Sequence, residues 1–255
     1  MQSATQEHIL TLAQAGQAEE LERLVAQLTL RNVTVAVRLA AANGHIACVR
    51  VLLAQEHRRG VRWMRHALFT AAGHGEAECV RALCAAKAGA DTQSYRRYPE
   101  PTALAMAARH GCTDTVRALL EADAHLYGLD DDEWPAPIDV AARRGNEAAL
   151  LLLLEAGSPL PLLFGVVSHC STNTLQILLE ANAEVNSVLG LYGDQITPLH
   201  EAASFGRADV VHMLCAAKAN LVGRSWRQTP LDVARSFGHA DVVRALCDAK
   251  ADPNA

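Results

Sequence analysis

A chain of 255 residues, half of them apolar, can bury a sizeable core as one large domain or two ordinary ones. No run approaches the ~18 consecutive apolar residues of a membrane span, and the start MQSATQEHILTLAQAG has no basic lead into an apolar stretch, so membrane insertion and secretion are not indicated and a cytoplasmic or nuclear location is expected. A net charge of -5 argues against a general nucleic-acid binder, which would carry a basic field over much of its surface.

In chain order the sequence predicts short helix pairs, each with a glycine after its first helix: Gly16, Gly44, Gly75, Gly111, Gly145, then Cys170 in that place, Gly206 and Gly238. The steps between these anchors are 28, 31, 36, 34, 25, 36 and 32 residues. Seven residues before them stand Ile9, Val37, Leu68, Leu104, Ile138, Leu163, Leu199 and Leu231. Eight residues after them stand Leu24, Leu52, Leu83, Leu119, Leu153, Leu178, Leu214 and Leu246. Small pairs precede the anchor at Ala40-Ala41, Ala71-Ala72, Ala107-Ala108, Ala141-Ala142 and Ala202-Ala203, where stacked helices must approach closely. Residues 196–221 and 228–253 align over 26 positions without a gap. The approximate repeats are 5–32, 33–60, 64–94, 100–130, 134–158, 159–188, 195–222 and 227–255, forming a single domain over 1–255.

The motif TPLHEAA at 197–203 fits the start of such a pair: Thr197 can cap the helix, Pro198 sits where no amide donor is needed, and Leu199 enters the core. With this motif and about eight phased copies, the sequence resembles the ankyrin-repeat family over nearly the whole chain. The resemblance implies an all-α solenoid of stacked helix-turn-helix repeats with projecting β-turn fingers, a non-catalytic module that binds proteins. His200 then hydrogen-bonds neighbouring backbone, and His45 and His239, which follow an anchor glycine, have the same scaffold role.

Two departures stand out. The repeat LLFGVVSHCSTNTLQILLEANAEVN has Cys170 for the glycine and Val166-Val167 for the alanine pair, so a distorted inter-helix turn is expected. Where the family usually ends its second helix with glycine, this chain has Lys87, Asp123, Gly157, Asn182, Lys218 and Lys250. A lysine there complements the helix C-terminus, and a non-glycine residue at positive φ carries about 1 kcal/mol of strain. The seven cysteines include no C-x-x-C pair; Cys84, Cys215 and Cys247 share one repeat position and Cys48 and Cys79 another, which predicts packing roles and a reducing compartment.

The connecting segments hold every tryptophan and tyrosine: Trp63, Trp134, Trp226, Tyr95, Tyr98, Tyr127 and Tyr192. Aromatics and arginine are enriched at interface hot spots, and loops on a rigid scaffold commonly carry function. Four fingers combine rings with charge, RRGVRWMRH (58–66), SYRRYPEP (94–101), GLDDDEWPAP (128–137) and VGRSWRQ (222–228), while NSVLGLYGDQ (186–195) is apolar. The candidate partner-binding residues are Arg62, Trp63, Arg65, Tyr95, Arg96, Arg97, Tyr98, Asp131, Asp132, Glu133, Trp134, Tyr192, Arg224, Trp226 and Arg227. Phe205 and Phe237, just before an anchor glycine, join them, because the family pattern exposes that place on the concave side. Local packing of the rings with solvated charges is the competing account, and for the two phenylalanines it is partial burial.

Interleaved rings and arginines also suit nucleic acid, so docking within a ribonucleoprotein or similar assembly through the basic fingers is the alternative. The phosphate-binding, nucleophile-elbow and zinc-protease motifs are absent, so no enzyme, cofactor or small-molecule substrate is expected. The run Asp130, Asp131, Asp132, Glu133 lacks the alternation of a calcium loop and is expected to be solvated or partner-facing, with no metal. Glu19, Glu20, Glu22 and Arg23 suit a polar cap on the opening repeat. The closing repeat reads like an internal one, which predicts a second chain on that edge or further sequence beyond it.

Overall fold

The computed structural model describes residues 2–27, 29–54, 64–86, 88, 102–127, 135–188, 196–222 and 228–251. Clustered by proximity, the chain forms two compact bodies, one of 1–141 with 148–159 and the other of 142–147 with 160–255. The described elements are helical, and most come in antiparallel pairs.

The first body contains α1 (Gln2–Ala15) with α2 (Ala18–Leu24), α3 (Leu30–Ala42) with α4 (Ile46–Leu53), α5 (Met64–His74) with α6 (Ala77–Ala85), and α7 (Ala103–His110) with α8 (Thr113–Glu121). α9 (Pro137–Arg144) and α10 (Glu147–Glu155) follow in the chain. First helices pack on first helices, α1 on α3 on α5 on α7, and second helices form the parallel layer α2, α4, α6, α8. The second body contains α11 (Thr172–Glu180), α12 (Pro198–Ser204) with α13 (Ala208–Ala216), and α14 (Pro230–Ser236) with α15 (Ala240–Ala251). It repeats the scheme, α12 against α14 and α11 and α15 against α13.

The periodic positions build this core. Ile9, Val37, Leu68, Leu104, Ile138, Leu163 and Leu199 are at most 1% exposed. Leu52, Leu83, Leu119, Leu153, Leu178 and Leu214 are fully buried, while Leu24 and Leu231 are half-buried. Every residue of the five alanine pairs is fully buried. A methyl group there lets adjacent helix axes approach to the ~8–10 Å of tight helix packing.

The anchor glycines explain how each first helix stops. All seven take positive φ, from 69° at Gly111 and Gly145 to 83° at Gly75, which is cheap only without a Cβ. The next residue's amide then closes on a carbonyl five positions back: His45 to Ala40, Glu76 to Ala71, Cys112 to Ala107, Arg207 to Ala202 and His239 to Ala234, all within 3.0 Å. The ring of His45 lies against Gly16 while its Nε2 donates to the Gln14 carbonyl at 2.9 Å. His239 does the same over Gly206, donating to Ser204 at 3.0 Å. His45 and His239 therefore each cap the turn of the preceding repeat.

Helix starts also follow the sequence. Thr29, Thr102 and Ser171 accept from the amide three residues on, and Thr197 and Thr229 form capping boxes with His200 and Asp232. His200 is 3% exposed; its Nδ1 accepts from Thr197 and its Nε2 donates to the Gln228 carbonyl at 3.2 Å, tying one repeat to the next.

Asp123, Asn182 and Lys218 end second helices at φ 56°, 65° and 64°. The buried alanine that follows each one closes on a leucine carbonyl and holds the left-handed turn. Lys250 departs from expectation: it lies inside α15, where a good helix former keeps the lower-energy right-handed conformation. Lys87 lies outside the described residues. Cys48, Cys79 and Cys170 are buried and Cys84, Cys112 and Cys215 half-buried, but Cys247 is exposed. Cys247 is thus not the packing residue its repeat position predicts: among the described residues α15 packs chiefly against α13 and α14, and Cys247 stays exposed.

The repeat around Cys170 is distorted, and the distortion extends beyond the inter-helix turn that the sequence predicts to the whole first helix. Residues 164–169 form consecutive turns instead of a helix, with Gly165 at φ 77°. Side chains from the next repeat hold it. Buried Glu201 accepts from the Gly165 amide at 2.6 Å. The Arg207 guanidinium donates to the carbonyls of Val167 and Ser168 at 3.4 Å each and of Cys170 at 3.0 Å. Asp209 braces it at 2.8 Å, and that hydrogen bond draws the Asp209 carboxyl below its ordinary pKa. Arg207→Ala should therefore cost about 1.5–3 kcal/mol, with Arg207→Lys recovering little because an ammonium cannot span three carbonyls. Urea unfolding with both variants beside wild type checks this.

Candidate protein-interaction surface

Fourteen of the candidate residues lie outside the described residues: Arg62, Trp63, Tyr95, Arg96, Arg97, Tyr98, Asp131, Asp132, Glu133, Trp134, Tyr192, Arg224, Trp226 and Arg227. Arg65 is half-buried in the first turn of α5. Tyr127, the finger ring that is described, is 64% exposed.

The two phenylalanines are displayed. Phe205 and Phe237 follow the last residues of α12 and α14 and are 55% and 63% exposed, although α12 is otherwise largely buried and α14 buries Pro230 and Ala234. Two histidines join them in one row. His169, in the same position before Cys170, meets Phe205 edge-on, with centroids 5.8 Å apart and planes at 86°. His239 stacks on Phe237 at 6.2 Å and 6°. Because Gly206 has no side chain, the His239 ring sits flush against the end of α12, beside Phe205. The row runs His169, Phe205, His239, Phe237.

Sequence reasoning identified the phenylalanines but gave His239 only a scaffold role and passed over His169. Register was the available signal, since His169 shares the pre-anchor position with Phe205 and Phe237. Arg207 had no comparable signal, because the residues after the anchors, Gln17, His45, Glu76, Cys112, Asn146, Arg207 and His239, follow no chemical pattern.

Little reactive chemistry surrounds this surface. Among the described residues no three His, Cys, Asp or Glu side chains come together as a metal site, and no helix is long and apolar enough to cross a membrane. Burial pushes the Cys79 and Cys170 thiols up to about 11.

Stacked helix pairs closed by left-handed glycines, with rings displayed at their ends, define a repeat scaffold of the interaction type. The model of ankyrin repeats in three copies matches residues 68–160 and 163–255, and the chain belongs to the ankyrin-repeat family. The ankyrin repeat domain of Bcl-3, described as a unique member of the IkappaB family, is 26% identical, with a TM-score of 0.66 over 83% of this chain and 97% of that one. The human ASB11 ankyrin repeat domain shares the fold at 24% identity and a TM-score of 0.54, over 96% of this chain and 98% of that one. A Caenorhabditis elegans homologue of transient receptor potential cation channel subfamily A member 1 is 33% identical over 126 residues, 46% of this chain and 10% of the relative. The putative E3 ubiquitin-protein ligase XBAT31 of Arabidopsis thaliana is 29% identical over 135 residues, 48% of this chain and 29% of the relative. The chain thus spans under a third of the length of these curated relatives. Ankyrin repeats are in general protein-protein interaction modules and typically non-catalytic.

If the rings are for contact and not for core packing, Phe205→Ala and Phe237→Ala should each change stability by less than about 1 kcal/mol, against about 2–5 kcal/mol for Leu199→Ala. Chemical unfolding of the three variants distinguishes the two roles. Thiol titration at pH 8 should modify Cys247 first and Cys79 and Cys170 last, since only about one in a thousand of the buried pair is thiolate there.

Proposed function

We propose that the protein is a non-catalytic adaptor, scaffold or assembly subunit that holds a partner protein through its fingers and the exposed first-helix ends. The observation that carries this is the placement of Phe205 and Phe237: two large rings at the same repeat position, both exposed, beside a core that is complete without them. A ring left in water at two successive repeats gains nothing for folding and supplies contact area to a partner.

The relatives support an interaction role. A channel homologue and a putative ubiquitin ligase share with this chain a stretch covering a small part of each, as expected of a scaffold attached to different activities. Seven free thiols support a reducing compartment, cytoplasm or nucleus.

Affinity capture with mass spectrometry tests the reading, using wild type, a Trp63, Trp134, Trp226 triple alanine variant and a Phe205, Phe237 double alanine variant. The triple variant should lose partners held by the fingers and the double variant those held by the helix ends. Equal retrieval of the same partners by all three folded proteins would overturn the proposal. A captured complex that weakens steeply and linearly in log salt concentration would instead mark phosphate contacts and the nucleic-acid alternative.

A further inference from the structure

We infer that Arg207 is a positioning residue for the ring row: by gripping the backbone on both sides of His169 it holds that ring against Phe205. Order in residues 164–170 and the shape of the His169 end of the row are then a single equilibrium. This rests on the interaction reading above and adds how part of that surface is held and released. The backbone comes first. Residues 164–169 form turns, without the continuous ladder of a helix. The amides of Val166 and Val167 both close on the Leu163 carbonyl, at 3.0 and 3.1 Å, and those of His169 and Cys170 both close on the Val166 carbonyl, at 3.1 and 2.9 Å. The carbonyls of Val167, Ser168 and Cys170 instead accept from the Arg207 guanidinium, which Asp209 holds through two hydrogen bonds of 3.0 and 2.8 Å. His169 is therefore bracketed, with gripped carbonyls before and after it.

The turn Phe205-Gly206-Arg207 meets this segment twice. Phe205 touches the exposed His169 ring edge-on at 5.8 Å, and Arg207 holds the carbonyls that flank it. The other end of the row is built differently. His239 is fixed by its own bond to the Ser204 carbonyl and stacks on Phe237, two residues before it in the chain. Phe237 is thus an internal control for any effect that passes through the irregular segment. Local opening of 164–170 breaks the Arg207 bonds and takes His169 off Phe205. By linkage, a protein that engages Phe205 and His169 together favours the closed segment, because a ligand shifts an equilibrium towards the state it binds.

Fluorine NMR of the whole chain, with 4-fluorophenylalanine at its four phenylalanines, tests this, and Phe205→Leu and Phe237→Leu identify the two resonances. Arg207→Ala should shift the Phe205 resonance and leave that of Phe237 in place, and His169→Ala should shift Phe205 as well. In the double variant the Arg207 change should add nothing to His169→Ala, which is how a double-mutant cycle reads an effect passed through a second residue. Hydrogen exchange of Arg207→Ala should quicken about tenfold or more at the amides of Val166, Val167, His169 and Cys170 and stay within about threefold of wild type in α15. Asp209→Asn loosens the guanidinium without removing it; it should give the same changes at smaller size and decides the matter if Arg207→Ala does not fold. An unmoved Phe205 resonance, an Arg207 effect that persists undiminished in the His169→Ala background, or exchange quickened equally through α12, α13, α14 and α15 would overturn the inference. These readouts need no partner, so their failure leaves the adaptor reading intact, whereas equal capture by all variants removes the adaptor reading and leaves the coupling of Arg207 to Phe205 standing.

Discussion

The fold depends on one closure repeated along the chain: a residue at positive φ lets the following amide reach a carbonyl five positions back. The closure ends the first helix, satisfies its last carbonyls and turns the chain so that the second helix runs back alongside it. The requirement is strict at the first-helix ends, where glycine supplies every left-handed anchor. At the second-helix ends it is looser, and Asp123, Asn182 and Lys218 accept some backbone strain. The alanine pairs follow from the same constraint, since a turn this tight brings helices close enough that a larger side chain in the contact would hold them apart.

Where the closure fails, side chains from the next repeat take over. Cys170 has a Cβ and no left-handed turn, and the segment before it holds turns in place of a helix. Glu201 supplies an acceptor to its amide and Arg207 supplies donors to its carbonyls, so polar groups that a helix would satisfy internally are satisfied from outside. Asp209 fixes the guanidinium in the required pose. The irregular segment thus takes part of its backbone hydrogen bonding, and with it part of its order, from a neighbour.

What was legible in the sequence was whatever recurs. The core leucines, the alanine pairs and the anchor glycines repeat at fixed offsets, and their burial and backbone conformation follow from phase alone. The distortion at Cys170 was legible as a break in that phase, whereas its remedy was not, because Arg207 lies 37 residues further on at a position that follows no chemical pattern from repeat to repeat. Lys250 shows the opposite limit: repeat position implied a left-handed turn, but α15 runs on through Lys250, which stands in its last turn. Of the candidate contacts, Phe205 and Phe237 were legible by register, and their exposure follows from a core already filled by smaller side chains.

Several of the residues that follow an anchor belong by covalent chain to one repeat and by contact to the one before it. His45 lies on Gly16, Cys112 on Gly75, His239 on Gly206 and Arg207 on the turn at Cys170. A repeat as numbered along the chain is therefore not a self-sufficient module. Duplicating, deleting or transplanting a single repeat separates a turn from its cover at one junction and presents a mismatched cover at the other. The exchangeable piece is offset: it begins just past one anchor's covering residue and ends just past the next. Recombination at those points would keep the turns at Gly16, Gly75, Gly206 and Cys170 together with the side chains that shield them.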